Sequence, residues 1–80
     1  MAQPSEIPAS RSAVELRIAF KSMAAQRLAR ETALASFDTL WDDVNRAAML
    51  QSNSNALNDY VALLKEMQAW YTEVLRGSAI

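Results

Sequence analysis

Gln51-Ser52-Asn53-Ser54-Asn55 decides the fold. Five consecutive polar residues, four of them Ser or Asn, form the clearest break in the chain. Such side chains bond to nearby backbone and favour turns and helix caps over helix interiors. Between Ala13 and Leu50 there is neither Gly nor Pro, and Ala, Leu, Arg and Met dominate. These are strong helix formers, so the spacing predicts one helix over about 13–50. Ser12-Ala-Val-Glu15 has capping-box spacing and marks its start. After the break, Ser54 or Asn55 is the expected cap of a second helix over about 56–76. Gly77 then stands at the left-handed C-terminal position, with Arg76 in the last turn.

Periodicity extends this reading. Leu16, Phe20, Met23, Arg27, Arg30, Leu34, Phe37, Trp41, Val44 and Ala48 step alternately by four and three. So do Leu57, Tyr60, Leu64, Met67, Tyr71 and Val74. Both are heptad seams of coiled-coil type. A five-residue loop makes the two helices antiparallel neighbours. The fold class expected is all-α, an antiparallel helical hairpin with a long first helix. The alternative is a three-helix bundle with a break near Ser36, where Asp38 would fall in the new first turn.

The hairpin has a consequence. The first helix would be about 57 Å long and the second about 31 Å, so the second covers the first only to about Arg30. The remaining overhang is apolar on two sides: Leu16, Phe20 and Met23 on the seam, and Val14, Ile18, Ala25 and Leu28 opposite. A helix apolar on both sides requires neighbours on both sides. The expected protein interface is therefore Val14, Leu16, Ile18, Phe20, Met23, Arg27, Leu28, Arg30 and Trp70. In this reading Arg27 and Arg30 set register or meet a subunit, with Glu73 as a partner for Arg30. Trp70 and Leu63 form a second strip beside the seam.

Composition narrows the chemistry. The chain has 80 residues, 51% of them hydrophobic, which suits one small domain. It has no Cys and no His, which removes disulfides, zinc fingers, thiolate nucleophiles and imidazole bases. Asp38, Asp42 and Asp43 are the densest carboxylates, and they are too few for a divalent-cation site. No Gly-rich phosphate loop and no nucleophile elbow is present. No catalytic residue, cofactor or metal is expected, and the protein is read as not an enzyme. Arg11, Arg17 and Lys21 form a basic strip, too small and lacking a groove-fitting motif for nucleic acid.

The longest apolar runs are the four residues 47–50 and 61–64, so no transmembrane helix is expected. Residues 1–11, with Pro4 and Pro8, read as a flexible arm without the pattern of a cleaved Sec signal, and 78–80 as a tail. A cytoplasmic protein or one exported without a cleaved signal both fit. Charge is segregated, net +3 over residues 1–30 and net −4 over 31–80, which suits head-to-tail contacts.

Ser52-Asn-Ser-Asn-Ala-Leu-Asn-Asp-Tyr60, followed by Leu64, Glu66 and Trp70, resembles the turn and second helix of type III secretion needle and inner-rod subunits. Ser52, Asn53, Leu57, Asp59, Tyr60, Leu64 and Glu66 align without a gap, with Ser54 where the family has proline. The resemblance covers residues 52–71. It implies a helical subunit of a secretion apparatus that assembles with copies of itself. The expected function is thus a non-enzymatic helical subunit that self-assembles or docks on a larger protein complex. Alternatives are a small inhibitor or chaperone-like binder for one protein partner, and an amphipathic surface-coat protein.

Overall fold

Ser12 begins the first helix as its motif requires. In the computed structural model, which describes residues 11–77, the Glu15 amide donates to Ser12 Oγ at 3.1 Å. The Ser12 amide donates back to Glu15 Oε1 at 2.9 Å, so both halves of the capping box are made. Helix α1 runs Ala13–Ala25, α2 runs Arg30–Met49 and α3 runs Ser54–Leu75. No strand occurs among the described residues. Residues 1–10 of the expected arm and the tail 78–80 lie outside them.

The helix expected over about 13–50 is interrupted at residues 26–29. The chain therefore takes the three-helix alternative, and it reverses at Arg27, not at Ser36. Ser36 stays inside α2, because a break there would split the strip of Ala33, Phe37, Leu40 and Val44, all buried. The reversal uses Arg27 at φ 54°, the left-handed conformation that usually falls to Gly. Leu28 follows and packs on the core, anchoring the turn by its apolar side chain.

At the second turn, Gln51 Nε2 donates to the Ala47 carbonyl at 3.1 Å near the end of α2. Asn53 caps α3, in place of the expected Ser54 or Asn55. Its Oδ1 accepts from the amides of Asn55 at 2.8 Å and Ala56 at 3.3 Å.

Each helix now faces two neighbours, and the core shows it. The seam residues Phe37, Val44 and Ala48 of α2 and Tyr60 and Met67 of α3 are buried. Beside them Ala33, Leu40 and Ala47 form a further strip on α2, with Leu63 beside the seam of α3. One cluster joins the three helices, with Leu63, Val44 and Met67 at zero exposure. Phe37 stacks on Trp41, Trp70 and Tyr71 at 5.7, 5.5 and 4.9 Å, and Phe20 meets Trp70 edge-on at 5.9 Å.

Candidate protein-interaction surface

The reversal at Arg27 redistributes the expected interface. Leu16, Phe20 and Met23 are 1%, 4% and 7% exposed and belong to the core, so they form no overhang. The neighbours of this seam face are α2 and α3 of the same chain, while Val14 and Ile18 on the opposite face stay uncovered. Trp70 is half-buried against Phe20 and Phe37, which corrects its reading as an open contact. Leu28 is half-buried in the turn.

Arg27 and Arg30 are both exposed. Arg30 Nη2 donates to the Leu75 carbonyl at 3.1 Å, a cation at the C-terminal end of α3. Glu73, suggested for Arg30 by sequence, is engaged by Arg76 at 3.3 Å.

Two apolar residues of the expected interface remain in the open. Val14 and Ile18 are 68% and 64% exposed and lie one turn apart on the outer face of α1. With Ala13 and Arg17 of α1, and Asp59 and Ala62 of α3, they line a shallow, largely apolar groove. A second shallow groove runs past Phe20, Lys21, Ala24, Ala25, Glu66 and Trp70. Met49 and Leu50 are also exposed, beside the α2–α3 turn. Sequence reasoning did not single them out, since their run reads as ordinary helix end.

The charged residues tie α1 down. Glu66 of α3 receives Arg17 at 3.3 Å and Lys21 at 3.4 Å. Its Oε1 is shut off from solvent and meets Arg17 as an ion pair without hydrogen-bond alignment. Arg11 pairs with Asp43 at 3.4 Å, and the Tyr60 hydroxyl donates to the Arg11 carbonyl at 2.9 Å. The positive and negative halves of the chain thus meet inside one molecule. Asp42 and Asp43 both face Arg46. No group of three metal-ligating side chains occurs among the described residues.

Several residues of the secretion-subunit resemblance have structural duties here. Asn53 caps, Tyr60 is buried with its hydroxyl bonded, Leu57 and Leu64 pack on the core, and Glu66 holds α1. Ser52 and Asp59 are exposed, and Asp59 borders the α1/α3 groove. No described helix is long and apolar enough to cross a membrane. No family model matches this chain, and no curated protein or solved structure is similar to it.

Proposed function

We propose that this protein is a non-enzymatic helical interaction module that docks on a larger protein assembly through the outer face of α1. The observation that carries this reading is the exposed pair Val14 and Ile18, set in an apolar groove with Ala13 and Ala62. Two large aliphatics stand in water, one helical turn apart. Their position beside Asp59 and Arg17 provides an apolar centre with a charged rim, the usual anatomy of a protein contact. A secretion-apparatus form of this reading rests on the resemblance over residues 52–71.

The test is a double variant, Val14→Asp with Ile18→Asp. Circular dichroism and the thermal midpoint are expected to stay near wild type, because neither side chain is in the core. Quantitative affinity capture is expected to recover a partner with the wild-type chain and lose it with the variant. Equal recovery of the same partner by both chains removes the docking face.

A further inference from the structure

The two interhelical turns differ in their chemistry. Between α2 and α3 the chain spends Gln51, Ser52 and Asn53, and Asn53 caps the next helix with two bonds. Beyond α3, Gly77 takes φ 81°. Between α1 and α2 the residues are Gln26, Arg27, Leu28 and Ala29, all good or fair helix formers. Arg27 sits at φ 54° without the freedom of Gly, and Ala29 stands at the N-cap of α2 with no side-chain bond to offer. Local preference across residues 26–29 is for helix. Only the docking of α1 keeps them bent.

We infer that a second copy of this chain can take over that docking, giving a domain-swapped dimer in which residues 13–49 form one continuous helix. The joined helix is about 55 Å long. It keeps its heptad phase through the join, since Met23, Arg27, Arg30 and Leu34 step by four, three and four. In the monomer α1 folds back along α2, so in the dimer two long helices lie antiparallel, α1 of each copy along α2 and α3 of the other. Every contact of α1 is remade between chains: Leu16, Phe20 and Met23 in the core, and Arg17 and Lys21 on Glu66. Two left-handed arginines and two uncapped helix starts disappear. The carbonyls that end α1 and the amides that begin α2 satisfy each other. Short, locally disfavoured connections invite such exchange, and the swap adds no surface that the monomer lacks. The inference uses the inner face of α1 and does not rest on the docking face.

The test starts by mixing chains of natural and heavy nitrogen, then unfolding and refolding them together at high concentration. Light scattering behind size exclusion should show a species of twice 8.9 kDa beside the monomer. A carbodiimide then joins Lys21 to Glu66, whose Nζ and Oε2 are 3.4 Å apart. In the swapped dimer, half of the joined peptide pairs carry mixed isotopes. A dimer whose Lys21–Glu66 links stay within one isotope overturns the inference, and so does a chain that stays monomeric throughout. Arg27→Gly and Arg27→Ala both remove the arginine and differ only in backbone preference. The dimer dissociation constant is expected to be about a hundredfold or more higher for Gly than for Ala. Equal constants exclude a bend at residue 27 as the switch. The Val14→Asp, Ile18→Asp pair is expected to leave the dimer intact.

Discussion

Arg27 is the residue at which local preference and overall fold disagree most. A non-glycine side chain at φ 54° crowds its own backbone, at a cost of about 1 kcal/mol. Gly at this position has no Cβ to crowd, and it ends the helix without strain. At concentrations where the chain is monomeric, Arg27→Gly is expected to raise the unfolding free energy by about 1 kcal/mol in urea titration. Leu63 is the opposite kind of residue. It has no exposed surface, sits in the cluster that joins the three helices, and agrees with its helix. Leu63→Ala removes buried methyl groups and leaves a cavity, so a loss of about 3 kcal/mol is expected from the same titration. For a domain of this size that is a large share of total stability.

At the scale of elements, α1 is the piece whose place has to be explained. Its two faces do different things, and two variants separate them. Phe20→Asp puts a carboxylate into the core beside Trp70. It is expected to undock α1, lower the far-UV helical signal and shift tryptophan emission to the red. The Val14→Asp, Ile18→Asp pair on the same helix is expected to do none of these. Glu66 adds an electrostatic clasp between α3 and α1. Because the three side chains are more than a third exposed, its worth is small. Glu66→Gln is expected to cost about 0.5 kcal/mol in low salt and nothing measurable at high salt, where screening has already weakened the pair.

The whole molecule is expected to unfold as one unit because one cluster holds all three helices. Thermal transitions followed by circular dichroism and by Trp70 and Trp41 fluorescence are expected to coincide. In Leu63→Ala both should move together. Elongated proportions of 44 × 30 × 15 Å follow from laying the shorter α1, 13 residues, against the 20 and 22 residues of α2 and α3. The unlike charges of the two halves have a use at this scale as well. They are spent on closing the molecule, Arg11 to Asp43 and Arg17 and Lys21 to Glu66, and need no second molecule to meet.

Much was legible in the chain without its structure: the all-helical class, the capping box at Ser12, the break that opens at Gln51, the end at Gly77 and most buried positions of α2 and α3. Each rests on short-range chemistry, since a cap, a turn or a heptad seam acts within a few residues. The paired apolar faces of residues 13–28 were legible too. What the chain did not disclose is that α2 and α3 cover one of those faces, the one with Leu16, Phe20 and Met23, and leave the other open. Nothing in Gln26-Arg27-Leu28-Ala29 signals a turn, because those residues favour helix. The bend there is held by burial of Leu16, Phe20 and Met23 against residues that lie far along the chain, such as Leu63 and Met67. That long-range burial exceeds the cost of one strained arginine and one missing cap, and the comparison exists only once the three helices are packed. It also separates the inner face of α1 from Val14 and Ile18, the two expected interface aliphatics that remain exposed on the outer face of α1.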